Sequence, residues 1–253
     1  MKIQILGGHG GLAKGYLTTS YLIDDKFLID AGAVASSLSI PEQCKIDHIL
    51  ISHGHLDHIK DLAFLCDNCF GVKDKAFEVY THKTVKEIIH KYLFNDIVWP
   101  DFTKLPSAQN PTIKINSIKE ETFSIGGYTV TSVKVSHALD AMGFIVEKND
   151  VAVLFTLDTG PTERIWEVSR GIKNLKAVFT EVSFPNQQSE IAKISDHHTP
   201  QSLNRELIKM PHDVPVILTH FKPYFRSQIA DEIKALNHPR VRMLREDGEV
   251  FNF

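Results

Sequence analysis

Three cysteines, Cys44, Cys66 and Cys69, are all that the 253-residue chain carries. So few exclude a small disulfide-stapled scaffold, and an odd count with no pairing framework suits a reducing, cytoplasmic compartment. Cys66 and Cys69 form a C-x-x-C, but no second pair exists to complete a four-sulfur zinc site, so both are expected to be plain buried thiols on a helix. Charge of one sign is also missing. With 28 Lys and Arg against 31 Asp and Glu, the net charge of -3 offers no general attraction for polyanions. A phosphate-bearing substrate must then be held by local groups, and extended nucleic acid has no basic surface to lie on. No apolar run is long enough to cross a bilayer, and MKIQILGGHGG breaks to glycine too early for a secretory leader. There is no repeat of fixed period and no low-complexity linker, so residues 1–253 are expected to form one domain.

What the chain has in quantity is short apolar runs bounded by turn residues. Lys2 to Leu6, Ser20 to Ile23, Phe27 to Ile29, His48 to Ile51 and Glu78 to Tyr80 read as strands. So do Tyr128 to Val135 after Gly126-Gly127, Val151 to Leu157 after a hairpin at Asn149-Asp150, Ala177 to Thr180 and Val216 to Thr219. A last hairpin is expected at Asp247-Gly248. Apolar residues return every three or four positions in Thr84 to Phe94, Pro200 to Lys209 and Ser227 to Leu236, which predicts helices. Thr199 and Pro200 supply an N-cap and first-turn pair for the second of these. Strands and helices interleave in both halves, the pattern of a layered α/β domain.

Five of the apolar runs end in an imidazole or a carboxylate. His48 to Ser52 leads into His53, Val133 to Ser136 into His137, Val153 to Leu157 into Asp158, Val178 to Thr180 into Glu181, and Val216 to Thr219 into His220. If these strands point the same way, their ends form one rim, and rigid strands delivering side chains to a rim can build an active site. The first of these ends opens HGHLDH, which puts His53, His55, Asp57 and His58 within six positions. One histidine at a strand end is ordinarily a solvated surface residue. Five in order with Asp57 and Asp158 make a donor set for zinc, manganese or iron(II) that needs no thiolate.

HGHLDH, a histidine after the next long hairpin, the aspartate of T-L-D-T-G and the histidine of L-T-H-F together resemble the metallo-β-lactamase superfamily. The resemblance implies a four-layer αββα sandwich and two divalent metal ions, zinc foremost with manganese or iron as alternatives. It assigns His53, His55 and His137 to one metal, Asp57, His58 and His220 to the other, and Asp158 to both. Within the superfamily the chain is similar to class II cyclic-nucleotide phosphodiesterases, through F-N-D-I-V-W-P at Phe94 to Pro100, E-V-S-F-P-N at Glu181 to Asn186 and S-D-H-H-T-P at Ser195 to Pro200. One departure is Asp61, where that pattern prefers Gly or Ser and where the start of the next helix could be altered.

The likeness implies hydrolysis of cAMP or cGMP to the 5′-monophosphate, with two metals lowering the pKa of a bridging water. Asp57, Glu181 and His197 are the implied catalytic residues, His197 giving a proton to the leaving 3′-oxygen. His197 is expected to be the proton-transfer residue, with His198 at a position where the family usually has an apolar residue; the alternative is an exposed His198 and a His197 that only caps the turn before Pro200. Asn95 and Trp99 are candidates for facing the nucleoside, an aromatic plane being suited to a base, although Trp99 suits core packing equally. His9 reads as part of a glycine turn. The competing activities are a tRNase Z-like RNA 3′-processing endonuclease, which should add a basic glycine-rich arm that this chain lacks, and a non-catalytic metal or nucleotide sensor. The expected partner is a small cyclic nucleotide, with no membrane, and whether the protein is a monomer or a homodimer is left open.

Overall fold

The computed structural model describes residues 1–137, 140–210 and 213–253. Two seven-stranded sheets carry the architecture. Across the first run Val250–Asn252, Lys2–Gly7, Ser20–Ile23, Phe27–Ile29, His48–Ile51, Phe77–His82 and Ile113–Ile118, the last four mutually parallel. Across the second run Val241–Met243, Val216–Thr219, Leu175–Glu181, Val151–Phe155, Met142–Lys148, Tyr128–Lys134 and Glu121–Ile125.

The apolar runs are nearly continuous because each sheet is buried on both faces. In the first sheet Tyr21, Ile23, Phe27, Ile29 and Leu50 join the core that reaches the second sheet. Their neighbours Leu22, Leu28, Ile49 and Ile51 join a separate outer core with the helix Asp61–Cys69 and with Val85. The side-chain period of two thus feeds two cores from one strand. On the far side Ile165, Trp166, Leu203, Leu207, Ile229 and Ile233 bring the helices Arg164–Ser169, Pro200–Lys209 and Arg226–Leu236 onto the second sheet. The order of layers is helices, sheet, sheet, helices, the expected αββα sandwich.

The hairpin at Asn149-Asp150 forms as a two-residue turn, both residues at positive φ (49° and 58°) and Lys148 paired with Val151. The one expected at Asp247-Gly248 does not. Val241–Met243 belongs to the second sheet and Val250–Asn252 to the first, so this turn carries the chain from one sheet to the other. Asp247 is used there to accept from the backbone N–H of Gly8 (2.9 Å) and Leu17 (2.7 Å). The helix read over Thr84 to Phe94 is an α-helix only over Lys83–Ile88 and continues as a π-turn over Ile89–Leu93.

The cysteines depart from expectation. Cys44 caps the helix Ile40–Gln43, Cys69 closes the helix Asp61–Cys69, and the packing of these helices brings the two Cα atoms to 5.7 Å, where they are joined as a disulfide. Only Cys66 is a free buried thiol. The cysteine pattern therefore gives no support to a reducing compartment. No helix among the described residues is long and apolar enough to cross a membrane.

Candidate active site

The strand directions make the rim. Val151–Phe155, Leu175–Glu181 and Val216–Thr219 are parallel, and Tyr128–Lys134, antiparallel to an antiparallel neighbour, runs with them. Their C-terminal ends therefore deliver His137, Asp158, Glu181 and His220 to one edge. The first sheet adds His53 at the end of His48–Ile51, and the short helix Leu56–Ile59 brings Asp57 and His58. The backbone is bent to do this: Leu157 (φ 56°) and His220 (φ 61°) are left-handed, as is Asp30 (φ 57°). Such positions cost about 1–3 kcal/mol each and persist where surrounding structure over-determines them. Gly10 shows how close that packing is, since a Cβ there would stand 2.6 Å from the His220 ring.

The seven donors expected from the sequence fall into two groups. In the first, Nε2 of His53 is 2.9 Å from Nδ1 of His55, which is 3.3 Å from Nε2 of His137. Asp158 Oδ2 lies 3.7 Å from His53 and 3.9 Å from His137. In the second, His220 Nε2 is 3.4 Å from Asp57 Oδ2, and Asp158 Oδ2 lies 3.3 Å from His58 Nε2 and 3.1 Å from His220 Nε2. Donors at about 2.0–2.1 Å from a tetrahedral ion stand about 3.3 Å from one another, so both groups have the spacing of a coordination shell. The buried Nε2 atoms of His58 and His220 and Oδ1 of Asp158 have no hydrogen-bond partner, as suits groups shaped to hold a cation. Asp158 borders both groups.

Three of these histidines are aimed by a neighbour. His58 Nδ1 donates to Asp30 Oδ2 (2.6 Å), His137 Nδ1 donates to the carbonyl of Asp196 (3.1 Å), and His53 Nδ1 meets the Ser52 hydroxyl (3.0 Å), which donates to Asp30 (2.8 Å). Asp30 and Ser52 were not singled out in the sequence, yet for Asp30 the signal was there. Phe27 to Ile29 is one more apolar run ending in a carboxylate. The electrostatics follow from burial and like charges. Burial lowers the His53 pKa well below its ordinary value, with the His58 charge adding to the effect. Burial works against ionisation of Asp158, but His220 and His58 outweigh it and hold the carboxyl well below the usual range.

Beside this cluster His197 Nδ1 donates to Glu181 Oε1 at 2.7 Å, and the His197 ring stacks on His220 with centroids 5.3 Å apart. Burial pulls the His197 pKa down, and the Glu181 carboxylate more than restores it. His198 is not exposed: it is 1% accessible, its ring bonded to Ser202 Oγ and its N–H to Glu181. A cleft of about 660 Å³ opens beside His197, lined among others by Ser136, Pro161, Lys193, Thr199 and Arg205. Another of about 610 Å³ at Lys83, Lys86 and His90 holds none of the cluster residues.

Asn95 and Trp99 are not among the residues that line the cleft beside His197. Asn95 spends its side chain on its own turn, accepting from the N–H of Ile97 and Val98 and donating to the Lys91 carbonyl. Trp99 packs edge-on to Phe64, centroids 5.3 Å apart. Asp61 begins its helix buried, accepting from the Ala35 N–H at 2.8 Å, a bond that Gly could not make. His9 is buried against Tyr16 and Phe221, more than a plain turn residue.

The family model described as the beta-lactamase superfamily domain matches residues 26–221, a stretch that holds every donor named above. The chain belongs to the metallo-β-lactamase superfamily. A probable 3′,5′-cyclic-nucleotide phosphodiesterase of Yersinia pestis is 26% identical over 313 aligned positions, covering 100% of this chain and 89% of that protein. Unliganded yeast PDE1 superposes with a TM-score of 0.83 at 18% identity over 99% of both chains. The short form of human tRNase Z superposes at 0.69 and 18% identity over 100% of this chain and 99% of its own. At such identities the two structures establish the fold alone. The protein is a metal-dependent hydrolase of this superfamily.

Proposed function

We propose that the protein is a dinuclear metal phosphodiesterase that hydrolyses 3′,5′-cyclic nucleotides to 5′-monophosphates. The observation that carries this reading is the contact of the two donor groups with a buried Glu181–His197 pair on one rim, with a cleft of nucleoside size opening on His197. His53, His55 and His137 would hold one ion, Asp57, His58 and His220 the other, with Asp158 shared. Two divalent cations at such a site supply charge neutralisation for a phosphodiester anion and a nucleophile at neutral pH.

The chain's own residues do the rest. His197, held by Glu181 through Nδ1, presents Nε2 as the proton donor to the departing 3′-oxygen, and Glu181 steadies the charged imidazole before transfer. Asp57, the most exposed donor of its group, borders the reacting face. The cleft wall carries the hydroxyls of Ser189, Thr199 and Ser202 with Lys193 and Arg205, and Glu190 and Asp196 offset those two cations, so it suits a small polar ligand better than a long polyanion. The name of the Yersinia relative supports the same substrate class. The test is turnover of cAMP, cGMP, bis-p-nitrophenyl phosphate and precursor tRNA by protein reconstituted with zinc, manganese or iron. Release of 5′-AMP or 5′-GMP with little tRNA cleavage is expected. Efficient tRNA cleavage without cyclic-nucleotide turnover would transfer the assignment to the endonuclease, and no turnover of any substrate would favour a sensor.

A further inference from the structure

The hydroxyl of Ser183 stands at the junction of the two parts of the site. Fully buried, its Oγ lies 2.9 Å from Glu181 Oε2, 2.9 Å from His220 Nδ1, 3.1 Å from the His220 carbonyl and 3.2 Å from His197 Nδ1. A serine hydroxyl has one proton to give and two lone pairs to receive with. Glu181 is an acceptor here, taking His197 Nδ1–H at 2.7 Å and the N–H groups of His198 at 3.2 Å and Thr159 at 3.4 Å. The Ser183 proton is therefore taken by oxygens that can only accept, Glu181 Oε2 at 2.9 Å with the His220 carbonyl at 3.1 Å as the longer contact. A lone pair of Ser183 faces His220 Nδ1, which must bring the hydrogen. That leaves the lone pair of His220 on Nε2, the atom that faces Asp158 and Asp57 and has no hydrogen-bond partner.

We propose that Ser183 is a positioning residue: it fixes His220 in the Nδ1–H tautomer so that Nε2 can serve as a metal ligand, and it ties that ligand to the carboxylate that holds His197. The inference rests on the metal reading above but not on the identity of the substrate. A neighbour that fixes the tautomer of a ligating histidine typically contributes ten- to a hundred-fold to metal affinity.

Nitrogen-15 NMR of the zinc-loaded wild-type protein tests the assignment without any substitution. The expected spectrum has His220 protonated on Nδ1 and coordinated through Nε2. In Ser183→Ala, competitive zinc titration should show one of two ions bound about 10–100-fold more weakly while the other is retained. Coordination through Nδ1, or a Ser183→Ala protein whose two zinc affinities are unchanged or fall equally, overturns the proposal. If Ser183→Ala does not fold, the wild-type spectrum decides alone. A wild-type protein that binds no zinc overturns the metal reading and this inference with it, whereas zinc bound through His220 Nδ1 overturns this inference only.

Discussion

The two halves of the rim solve the same problem with the same parts and differ in what the carboxylate also does. On the first sheet, Asp30 receives the hydroxyl and N–H of Ser52 and the Nδ1–H of His58, and Ser52 in turn meets His53. On the second sheet, Glu181 receives Ser183, and Ser183 meets His220. Asp30 serves only to aim histidines of the donor groups. Glu181 also holds His197, which looks onto the open cleft. Damage to the first half should then be felt as lost metal and stability, and damage at His197 in the second as lost proton transfer, with Ser183 the point in that half where metal binding is weakened as well.

The largest effect should come from the residue common to both halves. Asp158→Ala is expected to lower the occupancy of both ions and to cut turnover about a thousandfold or more, since several kcal/mol of charge stabilisation are at stake. Elemental analysis and steady-state kinetics on the same preparation check it. His197→Ala should separate the halves most sharply, leaving both metals in place while kcat falls about 10²–10⁴-fold. Because His197 also lies within ligand reach of Asp158 and His220, loss of an ion in that variant would make it a ligand and dissolve the distinction. Asp30→Ala should act in the opposite sense. Urea denaturation should show a loss of about 3–5 kcal/mol, because a buried imidazole is left without its partner, together with weaker metal binding. Cys69→Ser, which opens the Cys44–Cys69 link on the outer helices, should change metal content and turnover least of all. It should cost roughly 3–4 kcal/mol of stability, read from the same denaturation curves.

Much of this arrangement could be read from the chain because strands bury apolar runs and then must end. His53, His137, Asp158, Glu181 and His220 were legible at five such ends, and the parallel pairing that unites the last three follows from the alternation of strands with helices. Asp30 ends a sixth run, only three residues long, and was passed over. Ser52 and Ser183 lay inside quoted stretches, but their roles were not legible for a different reason: a buried serine follows no periodic pattern, and what it does is fixed only when a second partner arrives from elsewhere in the chain. Distance along the chain also hid the Cys44–Cys69 pair, which depends on how two helices pack. Asn95 and Trp99 were ambiguous because Asn and Trp suit a ligand pocket, a turn and a core edge alike. The turn at Asp247-Gly248 was read correctly as a turn, but which sheet each flanking strand joins is not written in its local sequence.

If seven side chains from both sheets hold two ions in one site, counting the ions will show it. Protein freed of metal, reconstituted with zinc or manganese and passed through a desalting column should carry two ions per chain by elemental analysis, falling together in Asp158→Ala. One ion per chain, or none, in the wild-type protein would contradict the account.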